Sequence, residues 1–156
     1  MRLTTNDARL TPDQGLVIVS CSREKAVTTT PVPALDLYQG ALVPHLREHL
    51  ADVYRSRIRI LSAEHGLLHP DEPIGTYDHK LRSLGEAERL QERVSARLAA
   101  DLAAPTLRQV LVVLEPLYLT AAACLFDYVP PLGLTLLPEP SDWSGASVVL
   151  TRWGWL

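Results

Sequence analysis

The chain has 156 residues, of which 47% are hydrophobic and 21% charged, and a formal net charge of -3. A chain of this length removes about 70% of its unfolded surface from water, so it is read as one domain over 1–156 with a polar N-terminal extension at 1–14. This composition excludes disorder, and no apolar run approaches the roughly 20 residues that span a bilayer, so no membrane partner is expected.

The opening MRLTTNDARLTPDQ lacks an apolar signal core, which makes the cytoplasm the expected compartment. Cys21 and Cys124 lie outside any CxxC pair, so neither a disulfide framework nor a zinc site is expected, and no cofactor is implied. The mildly acidic balance disfavours nucleic acid as a partner but leaves room for one small phosphate-bearing ligand. Prolines cluster at 31–33, 70–73, 130–131 and 138–140 and punctuate the chain.

Residues 15–20 (GLVIVS) form a continuous β-branched run, the mark of a strand buried on both faces. Leu42, Val43, Leu46, Leu50, Val53 and Tyr54 recur at helical spacing and predict one helix, with Pro44 in its first turn. A second strand is expected at 58–63 (IRILSA), followed by a long proline-stiffened loop from His69 to Asp78. Ser83 and Glu86 have capping-box spacing, and Leu90, Val94, Leu98 and Leu102 continue along one helical face. A third strand at 110–114 (VLVVL) and a helix at 118–126 follow. The segments 132–137 (LGLTLL) and 147–153 (SVVLTRW) read as two late strands. Alternating strands and helices predict a single three-layer α/β domain, with a mostly parallel sheet of four to five strands and helices on both faces.

Ligands of open parallel sheets bind beyond the carboxyl ends of the strands. There the sequence collects Ser20, Cys21, Ser22, Arg23, Glu24 and Lys25 after the first strand, Ser62, Glu64, His65 and Gly66 after the second, and Glu115 after the third. Cys21 is a candidate nucleophile because loop amides and Lys25 favour the attacking thiolate, although free cysteine is also among the most buried residue types. Arg23 and Lys25 suit a phosphate or carboxylate, or are solvated loop charges. Glu64 and His65 are candidate acid–base groups, since a loop needs neither for packing. Tyr77 suits stacking on a ring with Asp78 accepting its hydrogen bonds, or else plugs the core. His45 and His49 have metal-ligand spacing but lack a third ligand, so a solvated helix face is the stronger reading and no metal is assigned. Trp143, Trp153 and Trp155 either seal the core or form a homodimer contact, and core sealing is preferred. The common phosphate-loop, dinucleotide, zinc-protease and esterase motifs are missing.

The stretches VSCSREK, ALDLYQGAL and ILSAEHGLLHPDEPIGTYDHKL together resemble a family of small bacterial domains of unknown function that carry SCxxxK, DLYxGxxF and LSAxHGLLxPxxxIxxYD in that order. The likeness covers 16–81. The third stretch is distantly similar to the peroxide-stress protein YaaA, and more loosely to the uracil-DNA-glycosylase-like domain of archaeosine synthase. Carried over, the resemblance implicates Ser20, Cys21, Lys25, Asp36, Tyr38, Gly40, Ser62, His65, Gly66, Tyr77 and Asp78. Two departures stand out: Leu42-Val43 replaces a leucine–phenylalanine pair, and 114–118 lacks an expected glycine.

The resemblance implies an enzyme acting on the N-glycosidic bond of a nucleotide or modified nucleoside. Cys21, Glu64, His65 and Asp78 form the expected catalytic set. Ser20, Ser22, Arg23, Lys25, Asp36, Tyr38, Gly40, Ser62, Gly66 and Tyr77 form the expected substrate-binding set. In that scheme Glu64 or Asp78 stabilises sugar charge or activates water, His65 assists proton transfer, Tyr38 or Tyr77 stacks on the base, and Lys25 with Arg23 holds a phosphate. The alternatives are a YaaA-like non-catalytic DNA-binding stress protein and a small partner-binding module.

Overall fold

In the computed structural model, which describes residues 9–127 and 132–156, the first apolar run is strand β1 (Gly15–Ser20), buried at all six positions. Only a strand flanked by strands and covered above and below needs such a run. β1 pairs in parallel with β3 (Ile58–Ser62) on one side and with β6 (Gln109–Val113) on the other. Strand β7 (Gly133–Leu137) adds in parallel to β6, and β4 (Gly66–Leu68) turns back antiparallel onto β3. The five-stranded sheet therefore runs β4-β3-β1-β6-β7, a mostly parallel sheet in a mixed α/β fold. The chain leaves β1 towards β3 and leaves β6 towards β7, in opposite directions. The carboxyl ends of β1 and β6 thus flank the point where the winding reverses.

Two further strands, β2 (Val32–Pro33) and β5 (Pro73–Ile74), form a short antiparallel ribbon outside this sheet. The stiff 69–78 loop therefore carries a strand. Its carbonyls also receive the first turn of α1 (Ala34–Leu37), with Ala34 N–H donating to Glu72 at 2.8 Å and Leu35 N–H to Pro70 at 3.0 Å.

The helix expected from Leu42 to Tyr54 is two helices, α2 (Val43–His49) and α3 (Asp52–Arg55), separated by extended Leu50 with ψ 135°. Arg55 stabilises the break. Its guanidinium donates to the carbonyls of Arg47 at 2.5 Å and Leu50 at 2.9 Å, satisfying acceptors that a continuous helix would have used internally. Helix α4 (Leu84–Ala103) begins where the capping signal placed it, with Ser83 Oγ accepting from Glu86 N–H at 3.2 Å. The Glu86 carboxylate reaches back to Arg82 N–H at 3.0 Å and not to the cap residue itself. Ala87, Leu90, Val94, Leu98 and Leu102 form its buried stripe. Arg59 of β3, 4% exposed, makes a two-pronged pair with Asp101 of α4, both contacts at 2.9 Å.

The helix expected at 118–126 starts earlier, as α5 (Pro116–Ala121), and gives way to a 3-10 turn over Ala123–Asp127. The segment 147–153 is not a strand. It belongs to helix α6 (Trp143–Arg152), whose start is capped by Asp142 accepting from Gly145 N–H at 2.8 Å. Ala146, Val149, Leu150 and Trp153 are buried at spacings of three and four while Val148 is exposed, so the run is helical despite its β-branched residues. Trp153 and Trp155 are buried, with Trp155 Nε1–H donating to the Leu10 carbonyl at 3.0 Å, and this tucks 9–14 against the body. Residues 1–8 of the polar extension and the proline pair at 130–131 lie outside the described residues.

Candidate functional site

A cavity of about 500 Å³ opens where β1 and β6 end. Ser20, Cys21, Ser22, Arg23, Glu24 and Lys25 line it from the loop after β1. Glu115 and Tyr118 line it from the segment after β6, and 78–82 crosses over the mouth with Asp78, His79, Lys80 and Arg82. Of the residues expected from sequence to act in catalysis, Cys21 and Asp78 are here. Of those expected to bind substrate, Ser20, Ser22, Arg23 and Lys25 are here.

Cys21 is nearly buried, with its thiol 3.8 Å from the Tyr118 hydroxyl, and its N–H extends the β1 ladder to Leu61 O at 3.0 Å. Tyr118 Oη also accepts from Leu81 N–H at 3.2 Å. Burial, with the Cys21 sulfur next, raises the pKa of Tyr118 well above that of an ordinary phenol, so the hydroxyl keeps its proton at neutral pH and remains a donor. Glu115 occupies the N-cap position of α5 but its side chain makes no capping hydrogen bond, which leaves the carboxylate for the cavity.

The residues shared by the three motif stretches meet beside this cavity. Ser62 Oγ accepts from the N–H groups of Glu64 at 3.2 Å and His65 at 3.1 Å. With both lone pairs engaged, Ser62 donates its proton to Tyr77 Oη at 2.6 Å, and the Tyr77 and Tyr38 hydroxyls share a hydrogen bond at 2.5 Å. Tyr38 is fully buried, and burial pushes its phenol up to about 12. Lys25 Nζ sits 4.4 Å from the centre of the Tyr77 ring, and His65 meets that ring edge-on at 5.0 Å. Lys25 and Tyr38 also pair as a β-bridge. Tyr38, Ser62 and Tyr77 thus spend their hydroxyls on one another, and none of them lines the cavity.

Gly40 serves close approach, because a Cβ there would stand 3.0 Å from Ser22 Cβ, and its N–H donates to Ser22 Oγ at 3.1 Å. The left-handed conformation falls instead on Ala41, φ 54°, which lines the cavity. Gly66, φ 75°, closes the β3–β4 turn. Asp36 is exposed on α1 and Glu64 exposed on that turn, and neither they nor His65 line the cavity.

Glu64 is held by a different partner. His79 Nδ1 pairs with Glu64 Oε1 at 2.7 Å and His79 Nε2 with Glu86 Oε2 at 3.0 Å. These hydrogen bonds, Glu86 first and Glu64 second, raise the His79 imidazole above its ordinary value, and both carboxylates are lowered in return. Lys80, Arg82 and Tyr118 were not anticipated as site residues. Tyr118 had a readable signal, lying a few residues beyond a buried strand, whereas Lys80 and Arg82 resemble any solvated charges until the loop is folded. His45 and His49 both stack against Trp143, at 5.1 and 5.2 Å, as an aromatic helix contact. Among the described residues no group of three or more metal-ligating side chains converges.

Fold and cavity together define an α/β protein with a charged, polar cavity at a reversal of strand order. The chain belongs to the family of unknown function DUF6884, matched over residues 16–124, which takes in every segment lining the cavity except Pro140 and Ser141. No curated protein and no solved structure matches it. No helix among the described residues is long and apolar enough to cross a membrane.

Proposed function

We propose that this protein is an enzyme acting at the N-glycosidic bond of a nucleotide or modified nucleoside, with the cavity between β1 and β6 as its active site. The observation that carries the reading is the convergence in one cavity of three carboxylates, Asp78 and Glu115 among them, a phenol that stays protonated, Tyr118, and several cations. Cleavage breaks the bond between C1′ and the base nitrogen, whose electron pair leaves with the base, while positive charge develops on the sugar. One carboxylate stabilises that charge, and the other takes a proton from the water that bonds to C1′. Tyr118 donates a hydrogen bond to the departing base. The reading rests on Asp78 and Glu115 in place of Glu64 and His65, whose groups serve the loop around His79 and Tyr77.

The same reading takes the helices to cover both faces of the sheet. Arg59 of β3 reaches α4, and α2 and α6 meet each other through His45, His49 and Trp143. It also takes the protein to work on a free small molecule in the cytoplasm.

The test is to incubate the purified protein with nucleosides and nucleoside monophosphates and follow base release by chromatography. Release from at least one compound is expected, falling about 100-fold or more in Asp78→Asn or Glu115→Gln while the fold persists. No release from any compound by folded protein overturns the proposal.

A further inference from the structure

Arg23 and Lys25 enter the cavity from the loop after β1, and Lys80 and Arg82 enter it from the segment before α4. Among the described residues none of these four cations has a carboxylate within 4.0 Å, although Glu24, Asp78 and Glu115 line the same space. Elsewhere in the molecule Arg55, Arg59 and Arg97 do find carboxylate partners, in Asp52, Asp101 and Glu72. The local balance is also reversed: the chain carries 15 Lys and Arg against 18 Asp and Glu, whereas the cavity has four against three.

The surroundings hold the Lys25 ammonium and the backbone about Lys80 in place without neutralising either cation. Lys25 lies over the Tyr77 ring at 4.4 Å and reaches the Arg23 carbonyl at 3.4 Å, contacts that fix the ammonium and leave its charge uncompensated. On the opposite side the carboxylates of Glu64 and Glu86 are spent on His79, and Glu86 also accepts from Arg82 N–H. That clamp anchors the backbone on either side of Lys80 and keeps those two acids from pairing with Lys80 and Arg82.

We infer that the cavity recognises its ligand through a phosphomonoester, so that the substrate is a nucleoside 5′-monophosphate and not a free nucleoside. For the nucleoside half of that ligand the inference rests on the function proposed above. A phosphomonoester carries a charge of about -1.5 to -2 and three acceptor oxygens, and so occupies guanidinium forks and lysine charges from two sides at once. A carboxylate ligand has one charge and two oxygens and leaves most of these donors unused. The cavity carboxylates suit the other half of the molecule, accepting hydrogen bonds from sugar hydroxyls as acidic residues do at strand-reversal sites. A volume of about 500 Å³ falls within the range of small-molecule sites and takes one mononucleotide.

Isothermal calorimetry at fixed ionic strength tests this with ribose 5-phosphate, inorganic phosphate, a panel of nucleoside 5′-monophosphates and the matching nucleosides. Ribose 5-phosphate is expected to bind, and at least one monophosphate is expected to bind about tenfold or more tightly than its nucleoside. Lys80→Ala and Arg82→Ala, both at exposed positions, are each expected to weaken the monophosphate about tenfold and leave the nucleoside unchanged, while Arg152→Ala on the far end of α6 changes neither. A nucleoside that binds as tightly as its monophosphate, an unchanged Lys80→Ala and Arg82→Ala pair, or failure of every phosphate-bearing probe to bind overturns the inference. Phosphate-dependent binding with no base release from any compound keeps the anion site and removes the glycosidic reaction. Equal release from nucleosides and monophosphates does the reverse.

Discussion

Ser62 fixes the direction of its own link in the buried hydroxyl chain, since two backbone N–H groups occupy its oxygen and leave only its proton for Tyr77. Tyr77→Phe removes the middle member and strands Tyr38 and Ser62, which is expected to cost about 1–3 kcal/mol in urea unfolding. Ala41 holds a left-handed conformation that costs an L residue about 1–2 kcal/mol, and glycine there gives back about 0.5–1 kcal/mol in unfolded-chain entropy. Ala41→Gly should therefore leave the thermal midpoint unchanged or raise it, and a clear fall would contradict the strain. At this scale the resemblance implicated Lys25, Tyr38, Ser62 and Tyr77 among its eleven residues, and the sequence left open whether Tyr77 meets a ligand or the core. Only the folded loops, with the Tyr38 and Tyr77 hydroxyls bonded to each other, decide that.

Helix α4 joins the sheet through its apolar stripe and through the Arg59–Asp101 pair, whose side chains are 5% and 12% exposed. Asp101→Ala leaves a buried guanidinium uncompensated and is expected to cost about 3–5 kcal/mol in chemical unfolding. The same helix supplies Glu86 to the His79 clamp. Because His79 is raised, its contribution is complete below the ordinary imidazole value of 6.5 and is lost as pH rises through the elevated one. Glu64 and Glu86 are lowered, so theirs is present above 4.5 and is lost as pH falls through the depressed values. The clamp is thus closed at mildly acidic to neutral pH. An NMR titration should give His79 a midpoint above 6.5, moved down by Glu86→Gln. The strands β1, β3 and β6 and the start of α4 were legible because buried β-branched runs and a serine cap have one reading each. The break at Leu50 was not, since Val53 and Tyr54 carry on the apolar spacing of Leu46 and Leu50 in the sequence although α3 buries none of its residues, and the interruption is made by Arg55 closing back on Arg47. The α6 segment misled because SVVLTRW is β-branched, and its helical face shows only when Ala146 is counted with Val149, Leu150 and Trp153.

The order β4-β3-β1-β6-β7 brings the loop after β1, the segment after β6 and residues 78–82 to one mouth, although the chain separates them widely. Alternating strands and helices made the parallel sheet readable in advance, and with it the rim that holds Cys21, Arg23, Lys25 and Glu115. The order of the strands was not readable, and it is the order that selects β1 and β6 as the walls and leaves Glu64 and His65 outside. The most direct test of the whole account is a crystal structure of the protein soaked with a nucleoside 5′-monophosphate. The expected result is density at the ends of β1 and β6, with the phosphate in hydrogen-bond reach of Arg23, Lys25, Lys80 or Arg82 and the sugar beside Asp78 or Glu115. A nucleotide bound elsewhere, such as the face formed by His45 and Trp143, with this cavity empty, would contradict it.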